Sequence, residues 1–236
     1  MRLIHQCFFR EDQRTALFAQ EPYRGFGLEP SVNAQLTQRC PELGDHVARL
    51  ALVENAAMLF HWRNPDADAD DWIGFTSYRQ LAKSPFVFET RIAVETALSG
   101  ADVVSWGVWN VSRVQIEWLR GGAAQAEISS PGLHKFTRDV LENFSIKIPS
   151  AYYAGEQVVF ANYWVMARSA FERYMAWSWP IIEHALQRDH DYKHAKPISA
   201  TIDARKAVGY FAERLYAIWV MRERLTVKAM GPVVKL

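Results

Sequence analysis

This 236-residue chain has few cysteines and almost no net charge, and each shortage argues against a class of protein. Its two cysteines, Cys7 and Cys40, form no CxxC pair and no disulfide framework, which favours a reducing compartment. Lysine and arginine total 27 against 26 acidic residues, so no net field attracts nucleic acid. We therefore expect no nucleic-acid partner.

Long apolar runs are also missing. No stretch reaches the length of a membrane span, and the first residues, MRLIHQCFFREDQR, lack the apolar core of a signal peptide. We expect a cytoplasmic protein without a transmembrane segment. Any work at a membrane would be peripheral, at the inner face of the plasma membrane. The sequence leaves the oligomeric state open.

Motifs of several enzyme classes are absent as well. There is no P-loop, no G-x-S-x-G nucleophile motif and no HExxH zinc motif. The pair Gly25-Phe-Gly27 lacks the third glycine and the strand–turn–helix setting of a dinucleotide fingerprint. These absences narrow the choice by exclusion.

What the chain does contain is a large apolar and aromatic content, with nine Trp and nine Tyr. A chain of this length fits one α/β domain with a proper core. Helical spacing predicts one helix that Asp45 caps, that runs through Phe60 and that Asn64-Pro65 stops. Strands at 72–76 and 102–106 flank a helix at 88–98, the size of a βαβ crossover, so both strands should run parallel.

Other segments complete the predicted architecture. Residues 3–9 and 156–166 are rich in β-forming residues and indicate strands. Ser169 and Glu172 form a capping box that opens a helix, which Pro180 should kink or split. The last helix should run from Ser199 or Thr201 to about Arg224. We predict a single domain over 1–236, with a C-terminal helical part at about 168–226.

Tyr78-Arg79 ends the predicted strand 72–76 and is the first candidate site. Ligands of open α/β sheets bind beyond the carboxyl ends of the strands, and a guanidinium there suits a diphosphate. The alternative is an Arg79 that pairs with Asp70 or Asp71 and lies over Trp72. The sequence does not decide between the two.

Three further groups invite a chemical interpretation. Asp66 to Asp71 contain a D-x-D pattern that would suit Mg²⁺ or Mn²⁺, although a solvated turn explains them as well. Asp71 and Asp102 are weak metal candidates, because each begins a strand. His184, His190 and His194 are candidates for zinc, which would make the protein a metal-dependent hydrolase.

The last helix has an apolar stripe at 3.6-residue spacing, with Glu213 nearly opposite and Tyr210 and Ala217 beside it. An ordinary amphipathic helix with a solvated Glu213 explains this pattern. A second interpretation makes that face a wall of the active crevice. The stripe consists of Val208, Phe211, Leu215, Ile218 and Trp219.

Taken in order, these pieces resemble a family of bacterial capsule and exopolysaccharide glycosyltransferases, long classed as a domain of unknown function. Four blocks between about residues 45 and 222 carry the resemblance, and the last is the most specific. The blocks are Asp71-Trp-Ile-Gly74 with Phe75-Thr-Ser-Tyr78-Arg79, Ala101-Asp-Val-Val104, Asn162-Tyr-Trp-Val-Met166, and Gly209-Tyr210 with Glu213-Arg214-Leu215 and Trp219.

The resemblance implies a GT-A-like, Rossmann-type fold with a mostly parallel sheet flanked by helices. It implies a nucleotide-sugar co-substrate, a glycan or lipid-linked acceptor, and Mg²⁺ or Mn²⁺ as a possible cofactor. Tyr78 and Arg79 would contact the donor, Asn162 a sugar hydroxyl, and Glu213 the acceptor as general base. Tyr210 is also expected to bind the substrate.

Under the same resemblance, Arg214 would orient the neighbours of Glu213 or neutralise the leaving phosphate. The alternative to a transferase is a non-catalytic sugar-binding or assembly protein that keeps the fold.

Overall fold

The computed structural model describes residues 4–19, 21–67, 71–80, 89–111, 113–116, 119–129, 131–154, 157–159, 162–187, 206–231 and 234–235. Within these ranges, strands and helices alternate along most of the chain. The strands are β1 Ile4–Phe8, β2 Tyr23–Gly27, β3 Trp72–Ser77, β4 Val103–Ser105, β5 Val108–Asn110, β6 Gln115–Ile116, β7 Leu119–Arg120, β8 Gln157–Val159, β9 Trp164–Ala167, β10 Val227–Ala229 and β11 Val234–Lys235.

The helices lie mainly between these strands. They are α1 Gln35–Arg39, α2 His46–Leu52, α3 Glu54–Arg63, α4 Arg91–Leu98, α5 Gly121–Ser129, α6 Leu133–Glu142, α7 Ser150–Ala154, α8 Arg168–Gln187 and α9 Lys206–Arg222. Short 3-10 segments occupy Glu11–Ala16, Pro41–Gly44 and Pro65–Ala67. The α/β class predicted from the sequence is confirmed.

A six-stranded sheet in the order β10-β4-β9-β3-β1-β2 forms the centre of the molecule. Strand β1 runs parallel to β2 and β3, and β4 runs parallel to β10. Strand β9 is antiparallel to both of its neighbours, β3 and β4. The predicted parallel relation of β3 and β4 is therefore confirmed, with β9 inserted between them.

The register brings the carboxyl ends of three parallel strands to one edge. Cys7 on β1 lies opposite Ser77 on β3, and Phe8 lies opposite Gly27 on β2. The pairing continues one residue past each neighbour, because the Tyr78 N–H donates to the Cys7 carbonyl at 2.9 Å and the Leu28 N–H to the Phe8 carbonyl at 2.8 Å. Residues after these strands thus meet in one place.

The helix predicted after Asp45 ends before Asn64 as expected, but its continuity is wrong, because the chain breaks it at Val53. Val53 has φ 53° and ψ −125°, which a β-branched residue rarely adopts, and this turn separates α2 from α3. Helix α9 packs against the break: a Cβ placed on Gly209 would lie 3.0 Å from the Ala51 carbonyl oxygen. Tertiary packing therefore overrides the helical spacing, and Glu54 becomes the first residue of a new helix.

The single strand predicted at 156–166 is also divided. Strand β8 joins β5 and β11 in a three-stranded sheet, whereas β9 joins the central sheet. Both segments are apolar and buried, including Val158 and Trp164. Composition predicts that these residues are extended, but which sheet receives them depends on long-range pairing.

Helix α8 begins at Arg168, one residue before the predicted Ser169 cap, and the Arg168 N–H donates to the Asp71 carbonyl at 2.8 Å. Pro180 lies inside this continuous helix and does not split it. Helix α9 is buried along most of its length, and the ring of Tyr216 stacks on Trp164 at a centroid distance of 5.4 Å. The predicted start near 199–201 lies outside the described residues. Across the described ranges, no helix combines the length and apolar character needed to cross a bilayer.

Candidate functional site

A cavity of about 700 Å³ opens at the edge where the parallel strands end. Its walls come from residues at or just after the ends of β1, β2 and β3, from the start of α3, from Asn162, two residues before β9, and from α9. This is the crevice at which ligands of open α/β sheets bind. Five of the residues selected from the sequence line it: Tyr78, Arg79, Asn162, Tyr210 and Glu213.

Arg79 lies in the wall of the cavity and is held by its neighbour. Its Nε donates to the Tyr78 hydroxyl at 2.9 Å, and its guanidinium lies 5.4 Å from the centre of the Tyr78 ring. The hydrogen bond to Tyr78 raises the pKa of Arg79, so the side chain stays cationic. Within the described part of the chain, Arg79 forms no ion pair with Asp71. Asp70, the other proposed partner, lies outside that part.

Ser77 supports this corner from below. Its Oγ accepts from the Arg79 backbone N–H at 3.2 Å and shares a 2.7 Å hydrogen bond with the Tyr163 hydroxyl. Both side chains are buried. The turn that presents Arg79 is therefore anchored to Tyr163, the residue directly before β9.

Helix α9 supplies the opposite wall through Gly209, Tyr210 and Glu213. Glu213 is half-buried, and its Oε2 accepts from Arg214 Nη1 at 3.2 Å. The second interpretation of the helix, a wall of the crevice, fits this placement. The face opposite the stripe is not solvated, since Ala217 is fully buried.

Arg214 does not line the cavity. It is 3% exposed, and its Nη2 donates to the Gln125 Oε1 at 3.0 Å. This network holds the guanidinium beside Glu213, behind the cavity wall. This placement does not suit direct contact with a leaving phosphate, and the orienting role of Arg214 stays a prediction.

Two buried carboxamides line the cavity from different elements. Asn55, on α3, and Asn162, just before β9, are each 1% exposed. The Asn55 Nδ2 donates to the Leu52 carbonyl at 3.0 Å. Among the described residues, neither Asn55 Oδ1 nor Asn162 Oδ1 has a hydrogen-bond partner.

Sequence reasoning missed Asn55, and it also missed two carboxylates, Glu29 and Glu54. Glu29 pairs with the buried Arg49 at 2.9 Å. Glu54 is 7% exposed, and its negative charge adds to burial in raising the pKa of the Cys7 thiol and of the Tyr163 hydroxyl. The available signal was the polar pair Glu54-Asn55 inside the apolar run LALVENAAMLF.

The metal candidates lie elsewhere. Asp71 and Asp102 precede β3 and β4, at the amino ends of these strands. Asp102 accepts from the Thr226 hydroxyl at 2.6 Å and from its backbone N–H at 2.7 Å, which lowers the pKa of this carboxyl. Neither aspartate lines the cavity. These residues do not fit a cation bound at the cavity.

A zinc site finds no support among the residues that can be described. There, no group of three or more His, Cys, Asp or Glu side chains is placed to hold a metal ion. His184 packs against Phe144 with ring centroids 5.5 Å apart. His190 and His194 lie outside the described residues, as does Asp70 of the acidic segment.

Comparison with known proteins supports the resemblance drawn from the sequence. The structure matches one titled "WbbM bifunctional glycosytransferase apo structure", with a TM-score of 0.66 and 14% identity over 98% of this chain. This chain spans 44% of that protein's length. At this identity the match shows a shared fold, a mainly parallel sheet flanked by helices. No curated protein matches the chain.

The family comparison covers most of the chain. Residues 43–224 match the family model described as "Domain of unknown function (DUF4422)". The matched range contains the Tyr78-Arg79 corner, Asn162 and the cavity-facing part of α9. The chain therefore belongs to the DUF4422 family.

Proposed function

We propose that this protein is a glycosyltransferase that moves a sugar from a nucleotide-sugar donor to a glycan or lipid-linked acceptor in surface-polysaccharide synthesis. One observation carries the proposal: a cationic Tyr78-Arg79 corner and the carboxylate of Glu213 line the same cavity at the carboxyl edge of the sheet. The shared fold with a glycosyltransferase structure supports the same reading.

Arg79 and Tyr78 would hold the donor diphosphate. A guanidinium donates to phosphate oxygens in pairs, and each charge-assisted bond contributes about 1.5–3 kcal/mol. The Tyr78 hydroxyl accepts from Arg79 Nε and so orients the remaining donors of the guanidinium. As the bond between the sugar and the diphosphate breaks, the Arg79 guanidinium would stabilise the charge that develops on the leaving diphosphate.

Glu213 would act as the general base. During transfer, the bond between C1 of the sugar and the diphosphate oxygen breaks, and a bond between C1 and the acceptor oxygen forms. The acceptor hydroxyl loses its proton to the carboxylate. Arg214 holds Glu213 from behind the cavity wall and is a positioning residue.

Asn162 and Tyr210 would complete the substrate contacts, Asn162 through its amide and Tyr210 through its hydroxyl or ring. Mg²⁺ or Mn²⁺, when bound, would neutralise the donor diphosphate. Asp71 and Asp102 lie at the other edge of the sheet and would not hold a metal ion at the donor diphosphate.

A binding and turnover screen tests the proposal. Purified protein is incubated with UDP-, GDP- and dTDP-sugars, with and without Mn²⁺, and thermal shift and release of the nucleoside diphosphate are measured. We expect a shift with one nucleotide class and release that depends on an acceptor. A folded protein that responds to no member of the panel would contradict the transferase. Binding of free glycans without any nucleotide response would indicate a non-catalytic sugar-binding protein.

A further inference from the structure

Another cavity, of about 600 Å³, lies between the loop after α6, one side of α8 and the end of α9. Its volume is within the range of about 300–1,000 Å³ that is typical of ligand pockets. Among the described residues, none lines both this cavity and the one at the edge of the sheet. We call it the α8 groove, and it is lined by residues 144–147, Ala176, Trp177, Pro180, Ile181 and Arg222.

Trp177 presents a carbon surface to the α8 groove. Its ring is half-buried, while its Nε1 is buried and pairs with no described residue. The part of the indole that remains exposed is therefore carbon. Pro180, less than one helical turn further along α8, is exposed as well. A flat apolar surface of this kind packs well against the C–H face of a sugar ring.

Polar side chains from the loop after α6 line the same groove. Ser145 is exposed, and its hydroxyl forms no hydrogen bond with a described residue. Lys147 is also exposed, and its ammonium forms no ion pair within the described part of the chain. A hydroxyl can donate to or accept from a sugar hydroxyl, and an ammonium donates to a carboxylate or a phosphate.

The α8 groove carries positive charge. In the part of the chain that the structure describes, no carboxylate lines it. The guanidinium of Arg222 lies over the Trp177 ring, 5.6 Å from its centre, and its Nε faces Glu223 at 3.8 Å. Arg222 is therefore already engaged. Lys147 is the cation that remains to neutralise an incoming anion.

We propose that the α8 groove binds an anionic sugar residue of a glycan chain, one that carries a carboxylate or a phosphate. The carbon surface of Trp177 packs against the sugar ring, the Ser145 hydroxyl bonds to a sugar hydroxyl, and Lys147 pairs with the anionic group. This site goes beyond the proposed function, because it lies apart from the donor cavity and needs no nucleotide.

A glycan fits the α8 groove better than an anionic membrane does. Protein surfaces that enter the headgroup region of a bilayer present exposed apolar side chains. The large apolar side chains that are exposed among the described residues are Ile92, on α4, and Ile128, on α5. Neither lines the groove, where the Trp177 ring is half-buried. The groove is therefore suited to one sugar ring rather than to a lipid surface.

Binding to the full chain, without nucleotide, tests the inference. The probes are two uronate hexasaccharides, one from hyaluronan and one of galacturonate, each compared with the same hexasaccharide after its carboxylates have been reduced to hydroxymethyl groups. Calorimetric titration measures the affinities. We expect at least one charged form to bind about five- to tenfold tighter than its reduced form at low salt. This difference should shrink as salt is added, because the ion pair is exposed.

Two variants assign the binding to named residues. Lys147→Gln should bring the affinity for the charged form to within about twofold of that for the reduced form, because it removes the ammonium and keeps a side chain of similar length. Trp177→Ala should weaken the binding of both forms by about tenfold, because it removes the carbon surface.

Each variant has a matched control outside the groove. Lys135→Gln removes an exposed lysine on α6 that pairs with Asp139. Trp62→Ala removes a half-buried ring on α3, over which the Arg63 guanidinium lies 4.6 Å from the centre. Both controls should bind every hexasaccharide as the wild type does.

Four results would overturn the inference. They are no binding of any hexasaccharide to folded protein, equal binding of the charged and reduced forms, wild-type binding by both Lys147→Gln and Trp177→Ala, and binding of phosphatidylserine vesicles in place of the hexasaccharides. If Trp177→Ala does not fold, the affinity ratio in Lys147→Gln and the salt series decide. Because no nucleotide is present, none of these results changes the standing of the proposed function.

Discussion

Arg214 donates to Glu213 at 3.2 Å on one side and to Gln125 at 3.0 Å on the other, and so joins α9 to α5 behind the cavity wall. The guanidinium is 3% exposed, whereas the carboxylate that it holds is half-buried and faces the cavity. The side chain that would do the chemistry is therefore fixed by a neighbour that no ligand needs to touch.

This relationship predicts that Arg214→Lys impairs turnover more than donor binding. An ammonium keeps the charge but cannot reach Glu213 and Gln125 together through a rigid fork. We expect kcat to fall by about tenfold, while KM for the donor stays within about threefold of the wild-type value. This is the pattern for losing an interaction that acts only in the transition state. Steady-state kinetics measure both.

The control for that change is Arg222→Lys, on the same helix but exposed and facing Glu223. It should leave both constants unaltered. Equal effects of Arg214→Lys on kcat and on KM, or none on either, would contradict the positioning role.

Arg79→Ala tests the diphosphate contact. Loss of one or two charge-assisted bonds should weaken nucleotide binding by about 10- to 100-fold. The melting temperature should change little, because the guanidinium is exposed and its hydrogen-bond partner is the adjacent Tyr78. Calorimetry and thermal denaturation are run on the same preparation.

Arg91→Ala provides the comparison for Arg79, since it removes an exposed arginine that pairs with Glu95 and Glu21 away from the cavity. Its nucleotide affinity should equal that of the wild type. A parallel loss of stability and binding in Arg79→Ala would instead mark Arg79 as a structural residue.

Gly209→Ala tests the close packing of α9 on the break between α2 and α3. The added Cβ would meet the Ala51 carbonyl oxygen at 3.0 Å and Val53 Cγ2 at 3.4 Å. Because backbone cannot yield easily, we expect a loss of about 1–3 kcal/mol in the free energy of unfolding. Urea denaturation measures it.

Gly100→Ala is the matched change at an open position, since a Cβ there has no atom within 4 Å. It should be close to neutral. If Gly209→Ala is equally neutral, α9 does not pack on the break as the structure has it.

Asp102 should make stability depend on acidity. Its pKa is lowered by the hydroxyl and the backbone N–H of Thr226, so its contribution is fully present above the unfolded pKa of about 3.9. The contribution is lost as the pH falls through the lower folded value. Asp102→Asn should therefore lower the free energy of unfolding at neutral pH. It should also make the free energy of unfolding fall less steeply as the pH is lowered.

Denaturation at a series of pH values compares this variant with Asp66→Asn, which changes an exposed aspartate in the 3-10 segment after α3. Asp66→Asn should leave the decrease in the free energy of unfolding at acid pH as large as in the wild type. If Asp102→Asn shows the same pH dependence as the wild type, the contact between Asp102 and Thr226 does not contribute to stability.

Local pattern was enough to predict some elements and not others. Strands β1, β3 and β4 follow from short apolar runs, since burial on both faces of a central sheet demands such runs. The break at Val53 was missed, because helical spacing continues through it. The division of residues 156–166 between two sheets was missed because the backbone pairing of β8 and β9 involves strands far away in sequence.

The site shows the same division. Tyr78-Arg79 could be selected from its position after a strand, and Glu213 and Asn162 from family resemblance. Glu54 and Asn55 were missed: their polar pair is visible inside an apolar run, but the pattern does not indicate what the pair faces. Its meaning depends on the turn at Val53, which places the start of α3 in the cavity.

The order of residues alone determined that this chain forms an α/β sheet and that an arginine follows the end of one of its strands, since both depend on neighbours close in sequence. Tertiary structure alone decided that Glu54, Asn55, Asn162 and Glu213 line one cavity. They come from three segments of the chain, of which the nearest two, at Asn162 and Glu213, are 51 residues apart, and only the register of the sheet and the packing of α9 bring their polar atoms around the same space.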